Sequence, residues 1–185
     1  MVTVVNIVGA GKLNTEIDLT TLTDTIDAHT ARYDPDTHPG LYLNFTPDSP
    51  TITLYRTGSY HITGATTTDE LHDTHTKLLD TLTDLGLPLD RHACLDAFSI
   101  RNIVCTAEYN TSLNLNALAI ALGLEHTEYE PEQFPGLIYR LNDPPAVFLL
   151  FASGKLVITG INSLDTAQTA YENLSDQLDT YVNTP

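Results

Sequence analysis

Apolar and polar residues alternate over residues 3–10 and again over 99–106, the period-two signature of a strand with one buried face. Each strand leads into a stretch with helical spacing: Ile17, Leu19, Leu22 and Ile26 in one case, Leu113, Leu115, Leu118 and Leu122 in the other. A Pro-Gly pair follows, at 39–40 and at 135–136, and then three short strands. The second and third of these are joined at Thr57-Gly58 and Ser153-Gly154, which is hairpin chemistry. Each stretch closes with a longer amphipathic helix. Leu71, His75, Leu78, Leu82 and Leu85 share one face of the first; Leu164, Ala167, Tyr171, Leu174 and Leu178 share one face of the second. Thr67-Thr68-Asp69-Glu70 at the start of the first fits a capping box.

The pattern is written twice because the residues are. Shifted by about 96 positions, "VNIVGAGKL" (5–13) aligns with "RNIVCTAEY" (101–109), "YDPDTHPGLYLNF" (33–45) with "YEPEQFPGLIYRL" (129–141), and "LYRTGSYHITG" (54–64) with "LFASGKLVITG" (150–160). Such a period is too long for a solenoid repeat and indicates two copies of one half-domain, related by pseudo-symmetry. The units span residues 1–90 and 97–185, with 86–97 as the connecting segment. Strands then a helix, twice, predict an α+β fold: an antiparallel sheet with helices on one face. In the second unit the uncovered face is not polar. Alternation turns Val104, Leu149, Phe151 and Val157 outward, with Asn102 and Thr159 between them. A contiguous exposed apolar patch marks a binding surface, or a contact with a second copy of the chain as a weak homodimer.

Charge changes the picture more than composition does. The net charge is −16, and it is spread over the chain: residues 1–96 carry five basic and fourteen acidic side chains, residues 97–185 three and ten. A folded domain tolerates such self-repulsion best where salt screens it, which points to a halophile's cytoplasm, or else to an acidic interaction domain at ordinary salt. No apolar run has the length of a membrane span, so no membrane partner is expected. Cys94 and Cys105 have no zinc spacing and are read as ordinary thiols. "GAGK" at 9–12 lacks the spacing of a phosphate loop. His72 and His75 lack a third ligand, and His75 lies on an apolar helix face. No nucleophile–base constellation stands out, so neither catalysis nor a cofactor or metal is expected.

The duplicated Asn-Ile-Val, "EYEPEQFPGLIYRL" and "LLFASGKLVITG" resemble the TATA-box-binding protein family, archaeal type, in a divergent haloarchaeal form. The resemblance covers residues 3–180 and is tighter in the second unit. It implies a saddle: a curved antiparallel sheet of about ten strands, helices on its convex side, and promoter DNA bound beneath through the minor groove. It also implies roles. Asn6 and Asn102 would hydrogen-bond base acceptors, assisted by Thr63 and Thr159. Val8, Val104, Val157 and Leu149 would lie on the groove floor. Phe134 and Phe151 would wedge a base step, while Arg140 and Lys155 would reach phosphates. Tyr129, Glu130, Glu132 and Gln133 would form the contact for transcription factor B, through which RNA polymerase is reached indirectly; Gln133 departs from a usually apolar position.

The first unit departs further. His38 and Tyr55 replace the wedge pair, His61 replaces Val157, and Asn44 and Ser59 replace Arg140 and Lys155. A histidine at 38 could stack, and if protonated could meet a phosphate. Two readings stay open: an adapted half-site, or a half that no longer kinks DNA. The second would leave a degenerate paralogue acting mainly through protein partners. Either way the expectation is that DNA grip leans on residues 97–185, with only Arg140, Lys155 and Arg101 on or near the binding face.

Overall fold

The computed structural model describes residues 1–182. The chain is α+β, with ten strands in antiparallel pairing and five helices among the described residues. It divides into two compact units. The first comprises Asn6–Arg101; the second comprises Met1–Val5 together with the chain from Asn102 onward.

In the first unit the strands are β1 (Thr3–Lys12), β2 (Thr30–Arg32), β3 (Gly40–Asn44), β4 (Thr51–Tyr55) and β5 (Ser59–Ala65), laid side by side in the order β2-β3-β4-β5-β1. Helix α1 (Leu19–Thr25) packs on β3 and α2 (Thr68–Asp84) on β5. A third helix, α3 (Arg91–Ala97), lies in the connecting segment, where periodicity predicts none. Its Asp90 cap, which accepts from the Ala93 amide at 3.1 Å, and the buried Cys94 are the signals that mark it. The second unit repeats the plan. Strands β6 (Ser99–Glu108), β7 (Thr127–Glu128), β8 (Leu137–Asn142), β9 (Pro145–Leu150) and β10 (Lys155–Ile161) lie in the order β6-β10-β9-β8-β7. Helix α4 (Leu115–Ala121) follows β6, and α5 (Leu164–Val182) packs on β9 and β10. Edge strands β2 and β7 are three and two residues long, too short for any periodicity to reveal.

One face of each sheet is covered. In the first unit Leu41, Leu43, Ile52, Leu54 and Ile62 of the strands are fully buried, as are Leu71, Leu78 and Leu82 of α2; in the second Phe148, Leu150 and Ile158 are buried, as are Ala167, Ala170 and Leu174 of α5. Helix α2 is capped as its sequence predicts: the Thr67 hydroxyl accepts from the Glu70 amide at 3.1 Å. The reciprocal bond falls one residue early, because the Glu70 carboxylate accepts from Thr66 N–H at 2.8 Å. In the second unit Tyr109 donates to Asp179 at 2.6 Å and Tyr171 donates to the Glu108 carbonyl at 3.0 Å, tying α5 to the end of β6. The Asp179 carboxylate pushes the Tyr109 phenol up to about 12.

The two cores are filled differently. In the first unit His75 is buried, hydrogen-bonded to the Tyr60 hydroxyl at 2.6 Å and stacked on Phe98 at 3.9 Å between ring centroids. Room for these rings comes from "GAGK". A Cβ at Gly9 would overlap Phe98, and one at Gly11 would overlap Tyr60. The second unit has Cys105 and Ala107 at the matching strand positions and an aliphatic Leu156 where Tyr60 stands. His75 is therefore a core residue, held neutral by burial, which lowers its pKa to about 4 with help from His72 and Arg91. Cys94 and Cys105 are buried free thiols, and burial raises both pKa values.

Candidate nucleic-acid interface

The uncovered faces carry the strand residues singled out above, Arg101 excepted. Asn6 and Asn102 sit opposite the two irregularities in the sheet. The β1–β5 register slips by one residue between Ile7 and Gly9, and the β6–β10 register slips between Ile161 and Ile158. Gly64 and Gly160 take up the slips with φ of +97° and +73°, which favours glycine there. Their amides, freed from the ladder, donate to Asn6 Oδ1 at 2.7 Å and Asn102 Oδ1 at 3.0 Å. A backbone N–H can meet only the oxygen end of a carboxamide. Each asparagine is thereby fixed with its NH₂ group turned away from the sheet amide. Asn102 Nδ2 lies 3.2 Å from the Thr159 hydroxyl, and Asn6 Nδ2 has no protein acceptor among the described residues. The repeated Asn…Ile-Thr-Gly is thus one device: a bulge and the side chain that satisfies it.

Cross-strand register sorts the other face residues into rows, since directly paired residues share a face. In the second unit Thr106, Val157, Leu149 and Ile138 line up across β6, β10, β9 and β8. The matching row in the first unit is Ala10, His61, Thr53 and Tyr42. The first row is half-buried and aliphatic apart from Thr106; the second is polar apart from Ala10, with His61 and Tyr42 exposed. Ile138 and Val147 (paired with Thr159) were missed from sequence, although alternation from Arg140 and Leu149 places both. Val8 and Val104 are half-buried on the same faces.

The aromatic pairs meet as the repeat predicts. Phe134 and Phe151 stand edge to face at 5.9 Å between ring centroids. His38 and Tyr55 stand 6.1 Å apart, and Tyr55 also meets His61 at 5.9 Å. His38 Nδ1 lies 3.0 Å from the Gly40 N–H, so its Nε2 edge is the one left to reach outward. The duplicated Pro-Gly now has a cause. A Cβ at Gly136 would lie 2.7 Å from the Phe134 ring and 3.1 Å from Phe151; one at Gly40 would lie 2.8 Å from Thr53 and 3.0 Å from His38. The aromatic pair rests on glycine in both units.

The charged positions need correction. Arg140 is exposed but ion-paired with Glu128 at 3.1 Å. Lys155 lies across β10–β6 from Glu108. Arg101 alternates with Asn102 and so lies on the Ile103 side, away from the open face. Asn44, at the position of Arg140, turns inward: its Nδ2 donates to the Ser49 carbonyl at 3.1 Å and to the Thr51 hydroxyl at 3.0 Å, bracing the β3–β4 turn. Two cations that no motif singles out also lie on the open face. Lys12 pairs with Ser59, and Arg32 pairs with Tyr42.

The segment 129–133 forms a turn in which the Gln133 and Phe134 amides donate to the Glu130 carbonyl at 2.9 and 3.0 Å. Gln133 Nε2 also bonds the Glu130 carboxylate, so the departure at 133 fixes its acidic neighbour. Glu130, Glu132 and Gln133 are exposed and Tyr129 is half-buried. No helix among the described residues is long and apolar enough to cross a membrane.

Comparison with known proteins places these features. The family described as transcription factor TFIID (or TATA-binding protein, TBP) matches residues 1–85 and 97–181. TATA-box-binding protein C of Halobacterium salinarum is 44% identical over 98% of this chain and 99% of its own. TATA-box-binding protein 2 of Haloferax volcanii is 41% identical over 94% of this chain and 91% of its own. Among solved structures, the TBP of Methanococcus jannaschii superposes with a TM-score of 0.81 at 35% identity, covering 97% of this chain and 98% of that one. With two family matches on the two copies of the duplication, the bulge-capping asparagines and the aromatic pairs, the chain belongs to the TATA-binding protein family.

Proposed function

We propose that this chain is a general transcription initiation factor that grips A·T-rich promoter DNA through the minor groove, bends it and recruits transcription factor B. The observation that carries the reading is the pair of asparagines. Each has its oxygen spent on a glycine amide, at 2.7 and 3.0 Å, and each is left with a fixed donor. The minor-groove floor at A·T pairs offers only acceptors, the adenine N3 and thymine O2 atoms, so a fixed neutral donor suits it. Guanine adds an amino group there, which would collide with the flanking row of Val157, Leu149 and Ile138. The discrimination is therefore A·T against G·C, together with the ease of deforming pyrimidine–purine steps. TATA-binding proteins are the type case for apolar wedges in the minor groove, and Phe134 with Phe151 supplies such a wedge here. The exposed turn at 129–133 is the surface offered to transcription factor B, and polymerase is reached through that factor.

A second reading, a paralogue with weak DNA grip that acts through partners, is favoured by the polar row Ala10, His61, Thr53 and Tyr42. One assay separates them. A doubly labelled duplex with a central A·T run reports bending by energy transfer; a G·C duplex is the control. The proposal expects bending of the A·T duplex alone, further stabilised by transcription factor B. Glu130→Arg should weaken the ternary complex by about tenfold or more and leave duplex binding unchanged. Equal loss of both would remove the partner assignment, and absence of bending would leave the paralogue reading in front.

A further inference from the structure

The open face of the first unit lacks the two cations of the second, yet it is the more positive of the two. At two places the units exchange charge across a strand pair. In the second unit Glu128 on β7 accompanies Arg140 on β8; in the first, Arg32 stands at the position of Glu128 and Asn44 at that of Arg140. In the second unit Lys155 on β10 faces Glu108 on β6; in the first, Ser59 faces Lys12. The first unit therefore keeps a cation at each place, moved one strand over and without its carboxylate. On the strands the second face sums two cations and two carboxylates to zero, whereas the first carries two cations and no carboxylate. Lys12 and Arg32 are both exposed, and neither makes an ion pair within 4.0 Å among the described residues. Most of the other cations are engaged: Arg56 with Glu16, Arg91 with Asp80, Arg140 with Glu128, and Lys77 over the Phe45 ring. In a chain of net charge −16, two unpaired cations on one face, at the ends of an inner and an edge strand, are not a solvation pattern.

We infer that Lys12 and Arg32 are the phosphate contacts of the first unit, flanking the groove from the inner strand β1 and the edge strand β2. This rests on the DNA-binding reading above. It changes the expectation that grip leans on the second unit: three cations of the open faces make no ion pair within 4.0 Å among the described residues, Lys155 in the second unit and Lys12 and Arg32 in the first.

The test uses the full chain and the labelled A·T duplex, titrated with KCl. Lys12→Gln and Arg32→Gln should each weaken binding about three- to tenfold, uniformly across A·T-rich sequences, and move the slope of log K against log[KCl] by about 0.9 in the positive direction. Arg56→Gln, which breaks the pair with Glu16, should change neither. Arg32→Glu should be worse than Arg32→Gln, and Arg32→Lys, which keeps the free charge, should retain most of the affinity. Unchanged melting temperatures show that the variants fold. Wild-type affinity and slope in both single variants, or a loss in Arg32→Lys as deep as in Arg32→Gln, would overturn the inference while leaving DNA binding standing. A wild-type chain that binds no duplex would overturn the DNA-binding reading itself, and this assignment with it.

Discussion

A glycine and an asparagine do most to shape the proposed interface, and neither touches it through bulk. Gly136 is where Phe134 and Phe151 come down onto the backbone, and only the absence of a Cβ lets both rings stand there. Gly136→Ala should force the rings apart, at a cost of roughly 1–3 kcal/mol of the sort that overpacking brings. The expected result is a smaller bend angle by energy transfer with A·T selectivity retained, since Asn102 and Val157 stay in place. A wild-type bend angle in that variant would show that the edge-to-face pair is not the wedge. The asparagines were legible in the sequence as duplicated residues, but their geometry was not. That Asn102 is held by Gly160 depends on a one-residue slip between β6 and β10, and nothing in the alternation announces a slip.

At the scale of elements, the two units solve one packing problem in two ways. The second sets the aliphatic Leu156 beside Cys105 and Ala107 and keeps its buried rings, Tyr139 and Phe148, on β8 and β9. The first uses the rings of Tyr60, His75 and Phe98 and clears space with Gly9 and Gly11. This gives the first unit a pH dependence that the second lacks. His75 has its pKa lowered to about 4 when folded, against an ordinary value near 6.5, so between those values the unfolded chain binds the extra proton. His75 therefore contributes full stability above about pH 6.5, and loses it at up to about 1.4 kcal/mol per pH unit as pH falls toward 4. Thermal melts of the wild type and of Tyr60→Phe/His75→Leu over pH 4–7 should diverge with that sign. Parallel melting curves would mean that the imidazole is not held neutral. Elements with an apolar stripe were readable from hydrophobic spacing alone: β1, β6, α2 and α5, and the seven-residue α1 and α4. Strands β2 and β7 show too few residues to alternate, and α3, also seven residues long, has no apolar stripe, only a buried Cys94 behind a capping Asp90.

For the whole molecule, the question is how so acidic a chain meets a polyanion. Four cations stand on the open faces, Lys12, Arg32, Arg140 and Lys155, and two of these already face carboxylates. Each phosphate contact made by a cation contributes about −0.9 to the salt slope by releasing counterions. Against this stands the net charge of −16, whose approach to DNA must be neutralised by taking cations up. The sequence disclosed this balance only in part. Net charge is a sum and can be read directly, but which cations face the groove is set by cross-strand register, and Lys12 and Arg32 became visible only when paired with Ser59 and Tyr42. The measurement that tests the account most directly is binding of the wild-type chain to an A·T-rich promoter duplex from low to molar KCl, with and without transcription factor B. The account predicts A·T-specific, bending-coupled binding that persists or strengthens as KCl rises. Binding that falls steeply with KCl, or no specific binding at any salt even with the B factor present, would contradict it.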